Sequence, residues 1–218
     1  MEIIPSILSN NPEEVYELMS RCEGIVDRIS IDIIDGVFAN NKTVEPTFLE
    51  DIETKLKIDY QLMVNEPVNW VEKCVRGQAD RIIGHVEKMS NQFEFVGKVQ
   101  EVGLEVGMGL DLSTPVEEIN ERIINNLDVV LVMSVPAGFG GQEFDARVLA
   151  KLDKLNQIRN KDKNPFRIQD DGGITLDKID DVRLSGADEV SIGRRLFDGD
   201  LRDNINKFKK AAYKKTLV

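Results

Sequence analysis

The hydrophobic positions of this chain fall into short runs separated by longer stretches of mixed polarity. The runs cover residues 2–6, 28–32, 60–64, 81–85, 105–110, 129–134, 166–170 and 189–192. Most carry Ile, Val, Leu or Met at successive positions rather than at every second one. Alternation marks a strand with one wet face, whereas unbroken apolar runs mark strands covered on both faces, as in a parallel sheet. The intervening stretches read as helices. Asn11, Pro12, Glu13 and Glu14 give an N-cap, a proline at the first helical position and acids in the first turn. Ser113 or Thr114 before Pro115, Glu117 and Glu118 repeats that device. Further helices are expected over 47–56, 68–76, 91–102, 116–126, 145–159, 177–185 and 201–214. The last would carry Lys207, Lys209, Lys210, Lys214 and Lys215 toward the negative end of its dipole.

Eight strands alternating with eight helices over 218 residues, about 27 per unit, predict an α/β protein of the (β/α)8 TIM-barrel type. No linker or low-complexity tract divides the chain, so residues 1–218 are expected to form a single domain. An open doubly wound sheet is the second arrangement the pattern allows.

Composition narrows the chemistry. There are 39 acidic and 28 basic side chains, a net charge of -11. That balance speaks against a nucleic-acid partner, which would need a basic face. No apolar run approaches the roughly 20 residues of a membrane span, and no basic segment leads into a long apolar one at the start. A cytoplasmic protein with no membrane partner is the resulting expectation. Cys22 and Cys74 match no metal-ligand or redox spacing. His85 is the one histidine. It cannot build a multi-histidine metal site, so acid–base work would fall to carboxylates.

Barrel enzymes carry their sites at the C-terminal ends of the strands. Those ends hold Ser6, Asp32 with Asp35, Gln61 with Met63, His85, Met133, Asp170 with Asp171, and Gly193 with Arg194. Glycines cluster at Gly138, Gly140 and Gly141 around Phe139, at Gly172 and Gly173, and at Gly193 before Arg194 and Arg195. Glycine-rich turns after the late strands can present backbone N–H groups to a phosphate, with an arginine adding a charged contact; they can also be simple tight turns. Asp32 and Asp171 would stand across the barrel mouth from each other. Two carboxyls on opposite sides of one carbon suit epimerisation, one removing a proton beside a carbonyl and the other supplying one to the far face. Asp before Gly is equally a turn signal.

The order and spacing of PSILS (Pro5 to Ser9), IDIIDGVF (Ile31 to Phe38), QLMV (Gln61 to Val64), GHVE (Gly84 to Glu87), VGMGLDLSTPVE (Val106 to Glu117), VLVMSVPAGFGGQEF (Val130 to Phe144), DDGGI (Asp170 to Ile174) and GADEVSIGRRLF (Gly186 to Phe197) resemble the ribulose-phosphate 3-epimerase family. The resemblance implies an isomerase that epimerises a ketose phosphate at C3 through an enediolate. It implies Asp32 and Asp171 as the acid–base pair, and Ser6, Gln61, Met63, His85 and Met133 as residues around the sugar. It also implies Gly138, Phe139, Gly140, Gly141, Gly172, Gly173, Gly193 and Arg194 as the phosphate site. Relatives are commonly homo-oligomers. Met63 and Met133 read equally as barrel core, and His85 as a hydrogen-bonded support of the rim.

The departures from that family are specific. Its divalent metal is held by two histidines and two aspartates; the histidine positions here are Ser30 and Gln61. Asp32 and Asp171 remain as ligands, a set that suits a weakly bound Mg²⁺ or Mn²⁺ better than zinc. A chain that keeps the phosphate cradle without effective catalysis, a phosphosugar-binding barrel, is the alternative. The second strand reads Asp32-Ile33-Ile34-Asp35. It lacks the lysine of the DxKxxD motif found in related decarboxylases and aldolases.

Overall fold

The computed structural model describes residues 1–161 and 165–214; Lys215 of the terminal lysine group lies outside them. Eight strands, β1 (Glu2–Ile7), β2 (Arg28–Ile34), β3 (Lys57–Met63), β4 (Ala79–His85), β5 (Glu105–Leu110), β6 (Val129–Met133), β7 (Arg167–Asp171) and β8 (Glu189–Ile192), close into one barrel in sequence order. Every neighbouring pair is parallel. The closure excludes an open sheet, and the expected (β/α)8 barrel is what forms.

The strands are buried on both faces, yet the two faces differ. In β2, Ile29, Ile31 and Ile33 are fully buried in the large core beneath the helices. Each such side chain contributes about 1.5–3 kcal/mol on burial. The alternate residues Arg28, Ser30 and Asp32 are also buried, on the opposite, inward face. Inside the barrel, Ile83, Val129, Leu131, Met133 and Val135 form a separate apolar cluster.

At the N-terminal end of the barrel the interior is ionic. Arg81, 1% exposed, reaches Asp59 Oδ2 at 2.5 Å and Glu189 Oε2 at 2.7 Å. Arg28 pairs with Asp59, and Arg167 Nε with Glu189 Oε1 at 2.6 Å. Burial still pushes the Asp59 carboxyl up to about 6 against the pull of the Arg81 and Arg28 charges.

The described residues contain seven α-helices, not eight: α1 (Pro12–Cys22), α2 (Val71–Arg76), α3 (Gln92–Glu101), α4 (Val148–Arg159), α5 (Ile179–Leu184), α6 (Arg194–Phe197) and α7 (Leu201–Ala211). The α1 cap forms as the sequence suggests, with Asn11 accepting from Glu13 N. Two expected helices fail. Over 47–56 only a 3-10 turn, Pro46–Leu49, appears. Thr54 Oγ1 accepts from Leu56 N at 3.1 Å, offering the backbone a local partner that competes with the helix. Over 116–126 there are two 3-10 turns, Val116–Glu118 and Ile124–Asn126. Between them Asn120 Oδ1 accepts from Arg122 N at 2.9 Å while Asn120 N donates to Gln92 Oε1 at 2.9 Å. No side chain caps the turn after Pro115, so the Ser113 or Thr114 cap does not form. The stretch 68–76 divides into a 3-10 turn (Pro67–Trp70) and α2, and the last helix ends at Ala211 rather than 214.

Candidate active site

Strand register brings the chemistry together at the C-terminal end of the barrel. Asp32 on β2 lies beside Gln61 on β3, Ser6 on β1 beside Ser30, and Met133 on β6 beside Asp171 on β7. Asp32 and Asp171 sit three strands apart around a ring of eight, close to diametrically opposed. Between them opens a cavity of about 560 Å³ lined by Ser6, Asp32, Met63, Met133 and Asp171. The glycine segments form its remaining wall.

The two carboxyls have unlike surroundings. Burial, reinforced by the neighbouring Asp171 charge, holds the Asp32 carboxyl well above its usual range, and the Ser6 hydroxyl offsets this only in part. Ser6 Oγ donates to Asp32 Oδ2 at 3.2 Å, so its hydroxyl already has a partner besides any sugar. Burial also raises Asp171, but only to about 6, because the Gln61 side chain beside it opposes the rise. Environments that push two acids apart are how one becomes the proton donor and the other the base.

Gln61 and His85 lie behind the cavity lining rather than on it, and both are fully buried. Gln61 Nε2 is 3.2 Å from His85 Nε2 and 3.1 Å from Met133 Sδ. His85 Nδ1 is 3.3 Å from Glu87 Oε2. Phe38 stands edge-on to the imidazole, ring centroids 5.3 Å apart. His85 is thus held from several sides, as a support of the rim would be. Room for its ring comes from Gly109 on β5, where a Cβ would lie 2.7 Å from His85 Cδ2.

Three buried oxygens here have no hydrogen-bond partner: Ser30 Oγ, Asp32 Oδ1 and Gln61 Oε1. Among the described residues no cluster of three or more His, Cys, Asp or Glu could hold a metal. The unpartnered donors are all oxygen. Oxygen donors suit hard divalent ions, whereas zinc favours nitrogen and sulfur.

The glycine wall is shaped by backbone that L side chains avoid. Gly138, Gly141, Gly172 and Gly173 all have positive φ, at 108°, 81°, 123° and 62°. At Gly173 a Cβ would lie 2.8 Å from Glu143 C and 2.9 Å from Gln142 O, so no side chain fits. Arg194, on the turn after Gly193, lies against the loop: a Cβ on Gly141 would stand 2.9 Å from its Nη2. Gln142 Nε2 donates to Pro136 O at 2.7 Å and Phe139 O at 2.8 Å, tying the loop to itself. Phe139 is 49% exposed at its tip.

Residues that sequence reasoning did not single out complete the frame. Glu87 Oε1 accepts from Asp111 N at 2.6 Å, and Asp111 Oδ1 accepts from Ala137 N at 2.7 Å, just before the glycine loop. Asn41 Nδ2 donates to Gly138 O at 2.8 Å from the loop after β2. The signal in the sequence was the position of Glu87 and Asp111 just past the ends of β4 and β5, and glycine in the interior of β5.

A family model described as the ribulose-phosphate 3 epimerase family matches residues 2–197. The chain belongs to the ribulose-phosphate 3-epimerase family. Membership makes it an epimerase, an isomerase of a carbohydrate phosphate, and is compatible with a divalent metal. Ribulose-phosphate 3-epimerase of Bacillus subtilis is 31% identical over 201 residues, covering 90% of this chain and 92% of the relative. That of Treponema pallidum is 33% identical over 181 residues, 82% and 83% of the two chains. Among solved structures, 3-keto-L-gulonate-6-phosphate decarboxylase from Vibrio cholerae superposes with a TM-score of 0.71 at 11% identity, over 97% of this chain and 96% of that one. Orotidine 5'-phosphate decarboxylase from Pyrococcus horikoshii gives 0.63 at 17% identity, over 96% and 98%. These distant likenesses are of fold. No helix among the described residues is long and apolar enough to cross a membrane.

Proposed function

We propose that this chain epimerises a ketose phosphate at C3 with Asp32 and Asp171 as its acid–base pair. The observation that carries the reading is two buried carboxyls, held in different protonation environments, facing one cavity from nearly opposite strands. Asp171, the more readily ionised, takes the proton from C3 beside the carbonyl, leaving an enediolate. Asp32, held protonated, delivers a proton to the opposite face of the same carbon. The reverse reaction exchanges the roles, and the pair regains its starting state by proton exchange with solvent.

Met63 and Met133 line the cavity between the acids and keep water off the enediolate. The turns at Gly138–Gly141 and Gly172–Gly173, with Gly193 and Arg194, hold the phosphate through backbone N–H groups and the guanidinium. A hard divalent ion such as Mg²⁺ or Mn²⁺, when bound, would be held by oxygens of Asp32, Asp171, Gln61 and Ser30. It would supply positive charge to the enediolate oxygens. A protein that only bound phosphosugar would gain nothing from two buried carboxyls beside an anionic ligand, which favours the catalytic reading over the binding one.

The test is exchange of the C3 proton of five- and six-carbon ketose phosphates in D₂O, followed by NMR. Wild-type protein should exchange it with at least one of them. Asp32→Asn and Asp171→Asn should each lower the rate by 10³-fold or more, on the order of losing both proton transfer and its partner. No exchange by the wild-type chain with any such substrate sinks the reading.

A further inference from the structure

Gln61 stands where the family places an imidazole, and an amide poses a problem that an imidazole does not. Its two ends are nearly equal in size and opposite in hydrogen-bonding sense, so something must choose which end faces which neighbour. The neighbour of its Nε2 is His85 Nε2 at 3.2 Å, and a ring nitrogen donates or accepts according to the tautomer. The tautomer is in turn set by what faces the other ring nitrogen, and that is Glu87 Oε2, 3.3 Å from Nδ1.

We propose that Glu87 is a positioning residue, which fixes His85 with its proton on Nδ1 and so leaves Nε2 to accept the Gln61 amide N–H and hold that amide in one orientation beneath the acid pair. A carboxylate beside Nδ1 excludes a lone pair there, so the neutral ring must carry its proton at that atom. Nε2 is then an acceptor, and only the nitrogen end of the amide can face it. The other consequence is the one the structure displays: Gln61 Oε1 is turned away from His85 and lies buried without a partner, as does Asp32 Oδ1 on the neighbouring strand. The amide nitrogen meanwhile stays between His85 Nε2 and Met133 Sδ, 3.2 and 3.1 Å away, and Met133 is paired with Asp171 in the barrel register.

Glu87 is well held for this task. Its other oxygen accepts from Asp111 N at 2.6 Å. Burial works against its ionisation, but the hydrogen bonds it accepts from His85, Thr114 and the Asp111 amide outweigh it and hold the carboxyl below its usual range. The ring cannot slide out of line either, because Phe38 stands on it and Gly109 lies against it without a Cβ. The chain Glu87, His85, Gln61 thus replaces a direct imidazole at the β3 position with an amide steered by an imidazole one strand away. The inference adds to the proposed function a source for the orientation of the group beside Asp171, and rests on that reading only for its catalytic consequence.

His85 is the one histidine of the chain, so the ¹⁵N spectrum of histidine-labelled protein reports this ring alone. Ligand-free protein near neutral pH should give a pyrrole-like Nδ1 and a pyridine-like Nε2. A ring protonated only on Nε2, or on both nitrogens, overturns the proposal. In Glu87→Gln the tautomer preference should weaken or invert, and kcat for C3 exchange should fall about 10- to 100-fold with KM within about threefold. An unchanged tautomer in that variant also overturns it. If Glu87→Gln does not fold, the wild-type spectrum still decides. The spectrum is independent of turnover: the expected tautomer in a chain that exchanges no ketose phosphate would retain the relay and reject the proposed function.

Discussion

Gly173 shows how much chemistry a missing side chain can carry. Its φ of 62° and the carbonyl of Gln142, 2.9 Å from where a Cβ would stand, leave no room that a neighbour could yield, because the obstacles are backbone. Gly173→Ala should therefore distort the turn against the cavity and lower affinity for inorganic phosphate by about tenfold, ~1.4 kcal/mol, as titration calorimetry would measure. Unchanged affinity would remove this turn from the phosphate site. Both this glycine and Asp171 were readable from the sequence because their signals are local: DGG after an apolar run says turn, strand end and carboxylate at once. Glu87, Asp111 and Asn41 were not. Glu87 meets Asp111 across 24 residues, Asp111 meets Ala137 across 26, and Asn41 meets Gly138 across 97. Those meetings depend on which strands are neighbours, which no single stretch of chain expresses. His85 was visible as a residue, but the packing of Gly109 and Phe38 around its ring was not, because it too depends on which strands and loops become neighbours.

At the scale of elements, strands were legible and helices only partly so. A strand buried on both faces announces itself by its apolar run, and all eight fall within a few residues of their expected positions. The polar inward positions hid inside those runs: Arg28, Ser30 and Asp32 alternate with isoleucines in β2, and Asp59 and Gln61 with Tyr60 and Leu62 in β3. Their meaning appears only once the barrel closes and they share an interior. The helices expected over 47–56 and 116–126 were lost to Thr54 and Asn120, whose side chains bond the backbone locally. The ionic layer gives the element-scale prediction. Arg81 joins β4 to β3 and β8 through Asp59 and Glu189, both fully buried. Arg81→Met leaves those carboxylates without their main partner and should lower unfolding free energy by about 3–5 kcal/mol in urea denaturation. A loss under 1 kcal/mol would mean that Arg28 and Arg167 suffice.

At the scale of the whole molecule, the barrel gathers two acids into one cavity and leaves around them oxygen donors instead of imidazoles. Activity should accordingly survive chelation. Treatment with EDTA is expected to change C3 exchange by less than about twofold, because the proton transfers belong to Asp32 and Asp171 and neither waits on a bound ion. Complete loss restored by Zn²⁺ would contradict that. The pair also determines how the protein responds to pH, and the sign follows from its surroundings. Asp171 must be ionised to act as base, and burial has raised its carboxyl to about 6. Asp32 must be protonated to act as acid, and burial with the Asp171 charge keeps its carboxyl well above the usual value. The two steps belong to the pair as a unit. kcat/KM should therefore climb as pH rises through about 6 and fall again on the alkaline side, where Asp32 loses its proton. A rising limb near 4 would mean that the Asp171 carboxyl is unperturbed. Stability should move the other way. Both folded-state values lie above the roughly 3.9 of an unfolded aspartate, so the contribution of these groups is complete below that pH; that of Asp171 is lost as pH climbs through about 6, and that of Asp32 at higher pH. Asp171→Asn removes the buried charge that forms there. It should melt at a higher temperature than wild type at pH 8 and at nearly the same temperature at pH 4, so the substitution that abolishes proton transfer should also relieve the strain that proton transfer requires.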